Sequence, residues 1–254
     1  MDLPPTTLFG IESASLLLIW TAIMLAAVLR AFTGFGYALA AVPIFAQFLE
    51  PGQAVVLSSS LALGLGILTG RSFLRDAPMQ TMMPSMIMAL VGTVAGAALL
   101  LRMSPQDFQL WIGLSVIAAC LVLNFYHPTQ HEARPVAGGC AGMVSGLLNG
   151  AFAIPGPPMI VYVMATEDRP TQARAMLLTY FTFSSLLALL SYAGAGLVGM
   201  ASLSMFLLAF PAMVIGDRVG TLLFRRFGTN LYRRVAALTL FVIGVATTFK
   251  ALQY

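Results

Sequence analysis

Charge is what this sequence has least of. Only 9% of its 254 residues are Asp, Glu, Lys or Arg, against 59% hydrophobic, where a soluble domain carries roughly a quarter charged. That excludes a water-soluble globular fold and leaves a polytopic membrane protein. The net charge of +4 is small and scattered, which excludes a nucleic-acid surface and fits membrane topology as its cause. The two cysteines, Cys120 and Cys140, lie in apolar stretches without metal-binding spacing. Both read as small packing residues, and no metal or other cofactor is expected. The two histidines, His127 and His131, share a loop with Glu132 and Arg134, which reads as solvated. No Asp, Glu or His cluster falls inside an apolar stretch, which argues against an enzyme. No basic region precedes the first apolar run, so that run is expected to be a retained span, not a cleaved signal peptide.

What is present is hydrophobic runs of membrane-crossing length, about 20 residues each. They fall near 11–29, 54–70, 79–101, 108–125, 172–194, 199–224 and 232–250. Three shorter segments, 37–49, 136–148 and 154–165, each adjoin a break. The breaks read "GFGYALAAVP" from Gly34 to Pro43 and "NGAFAIPGPP" from Asn149 to Pro158. In lipid, a helix break is tolerated only where it is buried in protein or lines a watery cavity. A matched pair of breaks is a sequence pointer to a transport site.

Each break is either a kink or the tip of a hairpin. A single helix over 11–49 would be about 58 Å long, against a hydrocarbon core of about 30 Å, so length favours the hairpin. Charge agrees. In the hairpin arrangement ten arginines (Arg30, Arg71, Arg75, Arg134, Arg169, Arg174, Arg225, Arg226, Arg233 and Arg234) share one side, and only Arg102 and Lys250 lie on the other. Without Arg30, whose tip could lie inside the membrane, the split is nine against two; the kink arrangement gives seven against four. Basic residues in short loops mark the cytoplasm, so both termini are expected on the outer side of a bacterial inner membrane.

Three blocks recur in the same order. Gly34 and Pro43 match Asn149 and Pro158 at an offset of 115, "PGQA" at Pro51 matches "PTQA" at Pro170 at 119, and "GTVAG" at Gly92 matches "GDRVG" at Gly216 at 124. The expected fold is an all-α polytopic membrane protein of two inverted repeats, 9–126 and 135–252, within one membrane domain, 1–254. Each repeat holds five hydrophobic segments and begins with a broken or re-entrant helical hairpin. An odd number of segments per repeat makes the second enter from the opposite face, with substrate held between the halves. The small residues four apart in the third block read as helix contacts.

The chain resembles the sulfite exporter TauE/SafE family, also called the toluene-sulfonate uptake permease family. The residues that carry the resemblance are "GFGYALAAVPIF" with "PGQAVVLSSS", "SGLLNGAFAIPGPPMIVYV" with "RPTQARAMLLTYF", and the closing "IGDRVGTLLFRRFGTNLYRRVAALTLFVIG". The resemblance implies a transporter of small sulfur-containing or related organic anions. The chain departs from the family's glycine-rich pattern at Asn149, which stands where the first repeat has Gly34, and at Ala38. Those positions could tune substrate choice.

A broken helix offers the free N–H groups of its second arm to an anion, with the helix dipole behind them. In the first break these are near Gly34, Phe35, Gly36 and Tyr37. In the second, Pro155, Pro157 and Pro158 have no N–H, leaving Gly150, Gly156 and the side-chain amide of Asn149, with Pro158 setting the second arm. Gly and Pro that merely shape a tight turn are the competing reading. Asp217 and Arg218 are adjacent charges well inside a span. Arg218 could contact the anion or snorkel toward the cytoplasm, and Asp217 could carry a coupling proton. Ser58, Ser59 and Ser60, with Thr179, Tyr180, Ser184 and Ser185, form polar patches that read first as helix-to-helix bonds. The expected function is a secondary transporter of a small anion such as sulfite or an organosulfonate, working by alternating access with its site at the two tips. Its expected partners are the anion, a coupling proton or cation, and the lipid bilayer. The alternative is a passive anion channel.

Overall fold

The computed structural model describes residues 7–8, 11–33, 36–75, 77–125 and 132–227. A minimal antiparallel pair, β1 (Thr7–Leu8) with β2 (Ile11–Glu12), comes first and was not expected from the sequence. Everything else among the described residues is helix or connection. The helices are α1 (Ser13–Thr33), α2 (Tyr37–Phe45), α3 (Pro51–Thr69), α4 (Met79–Leu100), α5 (Pro105–Phe125), α6 (Pro135–Phe152), α7 (Gly156–Thr166), α8 (Pro170–Gly194) and α9 (Met200–Phe227). The expected span 232–250 lies outside the described residues.

Several helices start earlier than the apolar runs that predict them. Pro51, Pro105, Pro135 and Pro170 are first residues of their helices. Proline suits that position because its missing N–H would be unbonded there anyway. At α5, Ser104 Oγ accepts the Asp107 backbone N–H at 3.1 Å and donates to Asp107 Oδ2 at 2.7 Å, closing the first turn.

Among the described residues, four helices are long and apolar enough to cross a membrane: Pro51–Thr69, Met79–Leu100, Thr171–Gly194 and Met200–Leu223. Their outward faces carry exposed Ile67, Leu90, Val94, Leu190, Leu207 and Leu222. So much exposed apolar surface belongs in lipid. By contrast α2 and α7, nine and eleven residues long, reach only about 14 and 17 Å and cross half a bilayer at most.

The second break reverses the chain. The Tyr162 hydroxyl lies against Gly138, where an added Cβ would meet it at 3.0 Å. In one straight helix these residues would stand about 36 Å apart. Ser145 Oγ also donates to the Pro155 carbonyl across the tip.

Helix contacts come in matching pairs: α4 packs on α6 and α9 on α1, α4 on α8 and α9 on α3, while α3 packs on α8. Glycines set the two closest contacts. A Cβ at Gly92 would strike the Met143 carbonyl, and one at Gly96 the Leu147 carbonyl. A Cβ at Gly216 would strike the Met24 carbonyl, and one at Gly220 would meet Val28. Met143 stands 119 residues after Met24, and Leu147 the same distance after Val28. That spacing of 119 differs from the 115 of the break motifs and would set Arg30, rather than Gly34, against Asn149.

The two ends of the molecule differ in charge. Phe73 clusters with Ala175 and Leu178, and Gly138 meets Ser85. These contacts gather exposed Arg71, Arg75, Arg134, Arg169 and Arg174 at one end. Gln109 Nε2 donates to the Ala46 carbonyl at 2.7 Å, and Leu197 covers Gly52. That places the α2–α3, α4–α5 and α8–α9 connections at the other end, with Arg102.

Candidate anion site between the broken helices

The first break leaves α2 with an open N-terminus. Gly36 precedes it at φ 90°, ψ −9°, and no side chain caps it. Only glycine adopts that left-handed conformation without strain. The first intrahelical bond here runs from Ala40 N–H to the Gly36 carbonyl at 3.2 Å. The amides of Tyr37, Ala38 and Leu39 thus lie at the positive end of the helix dipole, outside its intrahelical bonds. At the second break, Ala153 takes the left-handed conformation at φ 55°, ψ 28°. Pro157 and Pro158 bring no N–H to the first turn of α7, so this tip is poorer in donors, as its sequence predicts.

The two tips meet at one cavity. Gly36, Tyr37, Ala38 and Leu39 face Ala153, Ile154, Pro155 and Gly156 across it, and its walls are Ser58, Ser59 and Ala62 of α3 with Phe181 and Ser185 of α8. Its volume is about 50 Å³, where about 10–15 Å³ holds one water, so in this conformation it takes only a small guest. Arg30, in the last turn of α1, is the one charged residue among the described residues that line it. The hydroxyls of Tyr37 and Ser58 are buried without a hydrogen-bond partner among the described residues. An orphaned buried hydroxyl costs about 1–3 kcal/mol, a cost that a polar guest would remove. Ser185 is satisfied, donating to the Phe181 carbonyl at 2.8 Å.

The ten residues singled out from the sequence divide sharply. Gly36, Tyr37 and Gly156 line the cavity, and Gly34 and Phe35 lie outside the described residues. Asn149 is buried, but its amide Nδ2 is engaged: it donates to the Ser184 carbonyl at 2.8 Å and lies 3.4 Å from Thr93 Oγ1. The Asn149 side chain joins α6 to α8 and α4, away from the cavity lining. Gly150 meets the Thr93 carbonyl so closely that it serves the α4–α6 contact. Pro158 is half-buried and off the cavity wall. Arg218 is exposed on an outward face shared with Ile215, Val219 and Leu222. Asp217 does not line the cavity but pairs with Arg30, Nη1 to Oδ1 at 3.4 Å.

Arg30 is what sequence reasoning placed elsewhere, among the loop arginines. Its position four residues before Gly34 puts it within about a turn of the break, but the direction it faces is set by how α1 packs. Arg174 of α8 donates to the Ala31 carbonyl at 3.2 Å, neutralising the C-terminal end of α1 beside Arg30. The serines at 58, 59 and 185 were legible as a polar patch, though not as cavity walls.

These features define a class: a helical membrane protein whose two interrupted helices converge on one cavity with one arginine among its described lining residues. The chain belongs to the sulfite exporter TauE/SafE family, which it matches over residues 19–247, and that family is one of membrane transporters. It is similar to the "Probable sulfite/organosulfonate exporter TauE" of Cupriavidus necator, at 30% identity over 113 residues. That stretch is 44% of this chain and 44% of the relative, so the alignment spans under half of either protein. No solved structure matches the chain.

Proposed function

We propose that this chain is a secondary transporter that moves a small sulfur-containing anion, sulfite or an organosulfonate, across the bacterial inner membrane. The observation that carries the reading is the cavity where both broken-helix tips meet Arg30. Arg30 supplies the charge, and the open N-terminus of α2 supplies the directed amides of Tyr37, Ala38 and Leu39. Tyr37 and Ser58 add neutral donors. Tetrahedral or pyramidal oxyanions suit such a set, because several short donors converge from different directions.

The paired helix contacts support two inverted repeats, 9–126 and 135–252, that rock about the cavity to open it alternately. The arginine-rich end would then face the cytoplasm and both termini the outside. Energy would come from an ion gradient or from the substrate gradient itself, with Asp217 the candidate for carrying a coupling proton.

The test is flux of labelled sulfite and a panel of organosulfonates into proteoliposomes holding the purified chain. The reading expects saturable flux that counter-exchanges when unlabelled anion is placed inside. No flux above empty liposomes would overturn it, and flux that neither saturates nor counter-exchanges would make the chain a passive channel.

A further inference from the structure

The Arg30–Asp217 pair has an uncharged counterpart on the other side of the molecule. With the register set by the glycine contacts, Asn149 follows Arg30 by 119 residues, and Thr93 precedes Asp217 by the 124 of the third block. The counterparts touch in the same way: Asn149 Nδ2 lies 3.4 Å from Thr93 Oγ1, and Arg30 Nη1 lies 3.4 Å from Asp217 Oδ1. Two helix contacts of the same kind, α4 on α6 and α9 on α1, are thus joined at the same point. One uses neutral side chains and the other a full ion pair. The neutral version shows that this contact does not need charge to close.

The ion pair is also held loosely. Its separation of 3.4 Å is long for a charge-assisted bond, which typically falls at about 2.7–2.9 Å. A guanidinium has five N–H donors in a planar fork, and this one spends a single contact on Asp217 while also lining the cavity. Both side chains are largely removed from solvent, at 11% and 14% exposed. Leaving either charge unpaired there would be costly.

We infer that Asp217 is the resident counter-ion of the anion site: it holds Arg30 while the cavity is empty and yields the guanidinium to the arriving substrate anion. The inference rests on the transporter reading above and deepens it. Arg30 becomes the residue that selects for negative charge. Asp217 becomes a positioning residue that keeps binding weak enough for release. A bare arginine in that setting would retain an anion, and a transporter that binds too tightly turns over slowly. Among the described residues, the groups around the pair are the charges of Arg174 of α8 and Arg218 of α9 and the neutral Tyr37 hydroxyl of α2; none is a second carboxylate that could replace Asp217.

The experiment is labelled-sulfite transport by the full chain in proteoliposomes, with KM and maximal rate read separately. Asp217→Asn should lower KM and lower the maximal rate together, since the anion no longer competes for Arg30 and leaves it slowly. Arg30→Gln should raise KM by roughly tenfold or more, the usual loss for a charge-assisted contact. The double change Arg30→Asn with Asp217→Thr copies the neutral contact of the other half. It should melt close to wild type and raise KM about as far as Arg30→Gln does. The charge swap Arg30→Asp with Asp217→Arg restores a pair but puts the carboxylate in the cavity, so transport should stay lost.

Wild-type KM in Asp217→Asn, or recovered transport in the swap, would overturn the inference and make the pair a structural staple. So would unfolding of the Asn/Thr double variant. If the wild-type chain itself moves no anion, the transporter reading fails first and takes the inference with it.

Discussion

Asn149 and Arg30 exchange roles between sequence and structure. Asn149 looks like a ligand because a side-chain amide beside a helix break can donate to an oxyanion, yet its donors point at Ser184 and Thr93. Its backbone carbonyl is engaged too, accepting from Ala153 N–H at 2.7 Å and lying 2.9 Å from the Tyr192 hydroxyl oxygen. Asn149→Ala should therefore cost about 1–3 kcal/mol by leaving buried partners unbonded. In detergent this should appear as a melting temperature lower by several degrees, with KM for sulfite unchanged. A raised KM at unchanged melting temperature would return Asn149 to the cavity. Arg30 was counted with the loop arginines, with a tip inside the membrane left open, because a one-dimensional count assigns a charge to the nearest loop. A charge one turn inside a helix end faces the loop or the cavity depending on helix rotation, and rotation is set by packing. Gly36 and Tyr37 were legible because the preference of glycine for left-handed backbone is a local property, readable without neighbours.

At the scale of the helices, most of the fold was readable. Apolar length predicts where lipid-crossing helices lie, and proline marks where they begin. The two short arms, α2 and α7, follow from the breaks that precede them. The spacing of the proposed repeats is not legible from the breaks alone, because the two break motifs differ in composition. The break motifs match at 115, whereas the residues in close backbone contact with Gly92 and Gly216 stand 119 apart. Those contacts make a prediction about glycine itself. Gly146 sits where a Cβ would strike the Ala89 carbonyl, whereas Gly199 has open space around it. Gly146→Leu should prevent α4 and α6 from closing and leave little monodisperse protein in size-exclusion chromatography, while Gly199→Leu should behave like wild type. Equal yields would mean the α4–α6 contact is looser than its geometry.

At the scale of the whole molecule, the concentration of arginine at one end is a statement about orientation. Leu101 lies in the connection at the arginine-poor end, and Asp168 in the α7–α8 connection at the other; both are exposed. In a background with Cys120 and Cys140 replaced by serine, Leu101→Cys should react with an impermeant maleimide on intact cells. Asp168→Cys should react only after the membrane is opened, and the reverse pattern would invert the topology proposed here. The central claim concerns the cavity where the broken helices converge, and its most direct measurement is an experimental structure with a saturating organosulfonate. The account predicts sulfonate density against the Arg30 guanidinium and the amides of Tyr37, Ala38 and Leu39. Density elsewhere, such as the polar pocket at the arginine-poor end beside Gln47 and Gln109, with the Arg30 cavity empty, would contradict it.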